Sequence, residues 1–179
     1  IDKPGAHEWP SPDATEQATC LEPPMALALV ESLRAAELGE VPVGALVMHR
    51  SGAILSRGHN LRETTHDPTA HAEVVALRAA AAKRGTWRFD DCALLVTLEP
   101  CPMCAGALIN ARIGLVVFGA ADPKAGACGS VMNLSCHARL NHRFPLVTGI
   151  LEEPSSLVLR DFFRSRRRNA PGTKSPLVE

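Results

Sequence analysis

His71-Ala72-Glu73 and, downstream, Pro100-Cys101-Pro102-Met103-Cys104 bring together one imidazole, two thiols and one carboxylate. That is the composition of a catalytic metal site. Structural zinc is normally closed by four Cys or His ligands, whereas three protein ligands leave a position for water. Cys101 and Cys104 are three residues apart, so at the first turn of a helix both sulfurs face one point. A helix N-terminus also lowers thiol pKa values, favouring the thiolate that a zinc ion binds. His71, at the start of another helix, supplies the imidazole if the two N-termini converge. Glu73 points away from His71, which suits it to reach a bound water rather than the metal. Zinc lowers the pKa of such a water to about 7, giving a hydroxide nucleophile, and Glu73 is the expected catalytic acid/base.

These side chains need elements to hold them. Ala26, Leu29, Val30, Leu33 and Ala36 recur at helical spacing between Met25 and Leu38, with a stop at Gly39. Val43 to Met48 and Ala53 to Ser56 read as a β-hairpin turning through His49-Arg50-Ser51-Gly52. His71 to Arg84 is a second helix closed by Gly85. Ala93 to Leu98 is apolar enough to be a strand buried on both faces. Cys101 to Ala111 reads as a third helix and Leu115 to Phe118 as another buried strand, so the pair implies a parallel crossover. A glycine-rich loop through Gly119, Gly126 and Gly129 follows. A helical turn near Val131 to Leu134, a strand around Leu146 to Ile150 and a helix from about Pro154 to Arg168 are expected after it. The pattern predicts an α/β protein, a three-layer α/β/α sandwich whose mixed sheet has about five strands and one antiparallel hairpin pair.

Composition sets the boundaries. With 179 residues, 46% of them hydrophobic, the chain fits one domain with a sizeable core. Residues 1–24 contain Pro4, Pro10, Pro12, Pro23 and Pro24 without apolar periodicity, and are expected to be a disordered or engineered extension. Residues 25–170 form the catalytic domain and 171–179 a C-terminal tail. Six cysteines are too few for a disulfide scaffold, and a reducing cytoplasm is the expected setting. No apolar run reaches membrane-spanning length. Formal net charge is zero, but residues 1–24 carry five acids against Lys3 alone, so the remainder is basic. Arg164, Arg166, Arg167 and Arg168 follow Phe162-Phe163 at the end of the last helix. Such a run is ordinarily a solvated helix end; beside aromatics it also suits splayed RNA bases, held by stacking and phosphate contacts. Cys92, Cys128, Cys136 and His137 are the alternative fourth ligands, but none has a companion pair at zinc-finger spacing.

An H-x-E paired with P-C-x-x-C is the signature shared by zinc nucleobase deaminases. Further segments narrow it: Glu40-Val41-Pro42-Val43-Gly44-Ala45, Asp67-Pro68-Thr69-Ala70-His71-Ala72-Glu73, Thr97 through Ala107, Val117-Phe118-Gly119-Ala120, Asn141-His142-Arg143 and Asp161-Phe162-Phe163-Arg164. With these, the chain resembles the bacterial-type tRNA adenosine deaminases of the cytidine deaminase-like superfamily over most of Glu40 to Arg168. The resemblance implies a homodimer that converts the wobble adenosine of a tRNA anticodon loop, that of an arginine tRNA with anticodon A-C-G, to inosine. It implies one zinc ion per subunit on His71, Cys101 and Cys104, with Glu73 shuttling protons. Asn60 matches the asparagine that contacts the target base, though after Gly58-His59 it is also a natural turn residue. The expected substrate-binding set is completed by Ala72, Lys124, His142, Arg143, Phe163, Arg164, Arg166 and Arg167, and by Asp122. The Asp122 carboxylate is suited to accept a hydrogen bond from a ribose 2′-OH, or simply to form an Asp-Pro turn with Pro123. Two other functions remain open: a free base or nucleoside deaminase using the same zinc and Glu73, and a catalytically silent zinc module. The carboxylate at Glu73 argues against the second.

Overall fold

Val47, Leu94, Leu95, Val96, Val116 and Val117 are fully buried, because the strands that carry them have helices on both sides. The computed structural model describes residues 14–168. In chain order these form α1 (Ala14–Glu37), β1 (Gly44–His49), β2 (Ile54–His59), α2 (Arg62–Thr65), α3 (Ala72–Arg84), β3 (Cys92–Leu98), α4 (Pro102–Asn110), β4 (Leu115–Ala120), β5 (Leu146–Thr148) and α5 (Glu152–Arg168). One sheet has the order β2-β1-β3-β4-β5. The β3–β4 and β4–β5 pairs are parallel.

Alternation along the strands splits the core in two. Ala45, Val47, Leu94, Val96, Val116 and Phe118 face Ala76, Ala80 and Leu108 of α3 and α4. Leu46, Ala93, Leu95, Leu115 and Val117 face Met25 and Ala28 of α1 and Ile150 before α5. This is the three-layer sandwich expected from the sequence. Gly44 is where α1 touches the sheet: a Cβ there would run into the Ala28 carbonyl and the Ser32 amide. Among the described residues no helix is long and apolar enough to cross a membrane.

The structure departs from the sequence expectation in four places. The first helix begins at Ala14 rather than Met25 and passes through Pro23 and Pro24. Prolines ordinarily break a helix interior; here Leu21, Met25 and Ala28, all on one face, are buried against the sheet and offset that penalty. Residues 1–13 of the expected extension and the whole 171–179 tail lie outside the described residues. Second, β1 is antiparallel to β3 as well as to β2, so the hairpin is not the single antiparallel pair. Third, Val131 to Leu134 is not helical; Asn133 makes an isolated bridge to Cys128. Fourth, α2 interrupts the loop after β2 and closes on His66, whose φ of 53° is left-handed.

Candidate active site and metal centre

β2, β3 and β4 run in one direction, so the segments that follow them emerge at one end of the sheet. Ligands of open α/β sheets bind in the crevice outside the carboxyl ends of strands. The segment after β2 carries Asn60 and leads to His71, the one after β3 leads to Cys101, and the one after β4 carries Asp122. His71 is the N-cap of α3 and Cys101 the N-cap of α4. N-caps are usually Ser, Thr, Asp or Asn, whose side chains bond back to the helix. Neither His71 nor Cys101 makes such a bond. Both side chains turn instead toward a common point, as does Cys104 in the first turn of α4.

The ligand atoms of His71, Cys101 and Cys104 lie within 4.8 Å of one another, and among the described residues they form the one such group. The His71 Nδ1 is 3.7 Å from the Cys101 Sγ and 3.6 Å from the Cys104 Sγ. A tetrahedral zinc, about 2.0–2.1 Å from nitrogen and about 2.3 Å from sulfur, separates those donors by about 3.6 Å. The residues therefore fit a metal of that kind. Cys92, Cys128, Cys136 and His137 are not in the group, which leaves three protein ligands.

Charge at the site follows from the same contacts. A hydrogen bond with Cys104 outweighs the burial penalty and, with His71, holds the Cys101 thiol down to about 4. Cys104 is pushed up by hydrogen bonding with Cys101 and by burial. Hydrogen bonding with Cys101 raises His71. Glu73, 4% exposed, sits in the first turn of α3, and burial pushes its carboxyl up to about 7. An acid poised near neutrality serves equally as proton donor and acceptor.

The residues around this centre are organised by three buried carboxylates to which the sequence assigned no role. Glu40 accepts from the Asn60 amide, Nδ2 to Oε2 at 3.2 Å, and from the Thr64 backbone N–H. Glu31 of α1 accepts from His59 at 3.0 Å and from Arg34 at 2.8 Å. Glu99 accepts backbone N–H bonds from Asp122, Cys128 and Ser130 and a short hydroxyl bond from Ser130. It thereby gathers the glycine-rich loop, and Gly126 lies so close to its carboxylate that a Cβ would collide. For Glu99 the one available signal was an acidic residue directly after a mostly apolar strand run, which is a poor predictor without the fold.

The expected RNA-contacting residues divide into two groups. Lys124, Arg164, Arg167 and Arg168 are exposed, as is Phe163, which packs edge-on against Phe162 at 5.5 Å. Others make bonds within the chain, Arg143 and Arg166 while exposed. Arg166 donates to the Gly39 carbonyl and stacks over the Phe162 ring at 4.9 Å. His142 bonds the Ile113 carbonyl at 2.8 Å and Arg143 the Ala138 carbonyl at 3.0 Å. Asp122 forms the turn: its Oδ1 accepts from the Lys124 and Ala125 amides at 2.9 and 3.2 Å. Asn60 is 6% exposed, and Ala72, on the first residue of α3, is wholly buried.

Residues 23–167 match the family model described as MafB19-like deaminase. The chain is 46% identical over 152 residues to the tRNA-specific adenosine deaminase of Bacillus subtilis (strain 168), covering 85% of this chain and 94% of that one. Among solved structures, one from studies of A-to-I editing by tRNA:A34 deaminases at the wobble position superimposes with a TM-score of 0.73. It is 39% identical and covers 75% of this chain and 97% of its own. A guanine deaminase from Nitrosomonas europaea is also similar, with a TM-score of 0.67 and 25% identity over 90% of this chain and 98% of its own.

Proposed function

The chain belongs to the tRNA-specific adenosine deaminases, and from that premise we propose that it hydrolyses the wobble adenosine of a tRNA anticodon loop to inosine. The observation that carries the chemistry is the convergence of His71, Cys101 and Cys104 on one point beside the buried Glu73. Those three residues hold zinc, one ion per subunit. When bound, it acts as a Lewis acid that lowers the pKa of water at its open position to about 7. Glu73 would take one proton from the attacking water and deliver it to a ring nitrogen as the hydroxyl adds to C6, then take the proton of that hydroxyl and pass it to the amine, which leaves as ammonia when the C6–N bond breaks. One carboxyl group can make both relays because burial keeps its affinity for a proton near neutral.

Asn60 is the base-contacting amide, and Asp122, in the loop gathered by Glu99, faces the ribose. Lys124, Phe163, Arg164 and Arg167, exposed along the loop and α5, track the anticodon stem-loop by stacking and phosphate contact. The substrate is an arginine tRNA with anticodon A-C-G, and the setting is the cytoplasm. The enzyme works as a homodimer. Exposed Met103, at the start of α4, and Val131 and Met132, in the loop whose Ala127 bonds the Pro100 carbonyl, offer an apolar face beside the site.

The test is inosine formation by zinc-loaded protein on a stem-loop containing U-A-C-G, with free adenosine, cytosine and guanine in parallel and Glu73→Ala as control. Inosine from the stem-loop alone, falling by at least about a hundredfold in the variant, is the expected result. Turnover of guanine alone would move the function to free bases, as in the Nitrosomonas relative.

A further inference from the structure

We propose that Glu40 is a positioning residue for Asn60, fixing which edge of the Asn60 amide meets the target base. The inference rests on the assignment of Asn60 as the base contact. Glu40 is wholly buried in the turn after α1, where its backbone N–H bonds the Ala35 carbonyl at 2.9 Å. Burying a carboxylate is costly unless its oxygens are paired. Both are: Oε2 accepts from the Asn60 Nδ2 at 3.2 Å and Oε1 from the Thr64 N–H at 2.6 Å. Burial alone would raise its pKa, but the backbone bonds from Thr64 and Glu63 and the Arg62 charge hold the carboxyl below its ordinary value.

An ionised carboxylate can only accept, so the Asn60 –NH2 must face Glu40 and the amide cannot flip. The Asn60 backbone is fixed too, its N–H bonding the Val43 carbonyl at 3.1 Å. One amide N–H and Oδ1 remain to engage a base edge in a single donor-acceptor order. A freely rotating amide would present both orders and discriminate between bases less well. Glu40 touches no substrate in this scheme; it acts through Asn60.

Glu40→Gln preserves shape but must set its own –NH2 against either the Asn60 amide or the Thr64 N–H. A cycle of Glu40→Gln, Asn60→Ala and the double variant separates positioning from loop packing, with zinc content and Tm followed in each. Each single change should lower kcat/KM on the stem-loop by about ten- to a hundredfold, with the double variant no worse than Asn60→Ala. Losses that multiply would overturn the proposal. Should the wild-type protein turn over guanine and not the stem-loop, the substrate assignment fails, and the same cycle run on guanine still decides the role of Glu40.

A second measurement needs no variant. Proton–nitrogen spectra of the wild-type protein should show Asn60 side-chain amide protons exchanging far more slowly than those of an exposed asparagine such as Asn141. Exchange at the exposed rate would contradict the fixed amide.

Discussion

The turn bonds of Asp122 use one carboxylate oxygen and leave the other for the proposed ribose contact. Oδ1 forms the turn by accepting from Lys124 and Ala125, so both readings of this residue hold on one side chain if Oδ2 meets the ribose. Asp122→Asn tests this cleanly, because the amide oxygen can keep both turn bonds while its –NH2 replaces the second acceptor. Loss of a charge-assisted bond costs about 1.5–3 kcal/mol, so activity on an RNA stem-loop should fall roughly tenfold or more while activity on the matching DNA changes little. An unchanged RNA-to-DNA ratio would remove the 2′-OH role. Residues of this kind are visible in sequence because chemistry restricts them to a few types at fixed spacing, and His71, Glu73, Cys101 and Cys104 are the strongest instances. Glu40 and Glu99 are not, since each acquires its partners only when segments distant in sequence fold against it.

At the level of elements, β3 and β4 were evident because two-sided burial demands mostly apolar residues, and α3 and α4 because the metal motif opens each. The start of α1 was hidden by Pro23-Pro24, whose local cost is met by long-range packing of Leu21 that no window of sequence displays. Of the residues after Gly129, Ser130 bonds the Glu99 carboxylate, and Val131, Met132 and Leu134 donate to the Gly126 and Ala127 carbonyls, so the expected helical turn at Val131 is absent. The last helix was legible, and beside its proposed RNA contacts it has a structural one. Arg166, though exposed, ties α5 to the Gly39 carbonyl, one residue before Glu40, while Arg164 pairs with Asp161 at 3.6 Å and Arg167 and Arg168 are exposed. Truncation after Phe163 removes both functions and should weaken tRNA processing with zinc content intact. Replacing only Arg164, Arg167 and Arg168 by Ala should raise KM and flatten the salt dependence, each lost phosphate contact reducing the slope by about 0.7. Equal turnover of tRNA by truncated and full chains would exclude α5 from RNA binding.

Across the whole molecule, the candidate metal centre and the core are built from separate parts. The donor triangle joins only the starts of α3 and α4, whereas two apolar clusters, one on each face of the sheet, bury Phe89, Met25 and the central strands without help from any ligand. A zinc finger, which has no such core, unfolds when its metal is removed. This chain should instead remain folded and lose only the linkage contribution. For a metal bound to the native state alone, that contribution is about 2.7 kcal/mol at a free concentration of about 100 Kd. In a domain of this size each kcal/mol moves Tm by about 2–4 °C. Chelation should therefore lower Tm by about 5–10 °C under those conditions while leaving a cooperative transition and far-UV circular dichroism unchanged at 25 °C. Readdition of zinc should restore both Tm and inosine formation. A cysteine-to-serine change at Cys104 should abolish the zinc-dependent part of the shift, because two remaining ligands hold the ion far more weakly. Loss of the cooperative transition on chelation would show that the two clusters do not suffice and that the metal is part of the fold. An unaltered Tm would show that His71, Cys101 and Cys104 do not bind the ion tightly enough to serve catalysis.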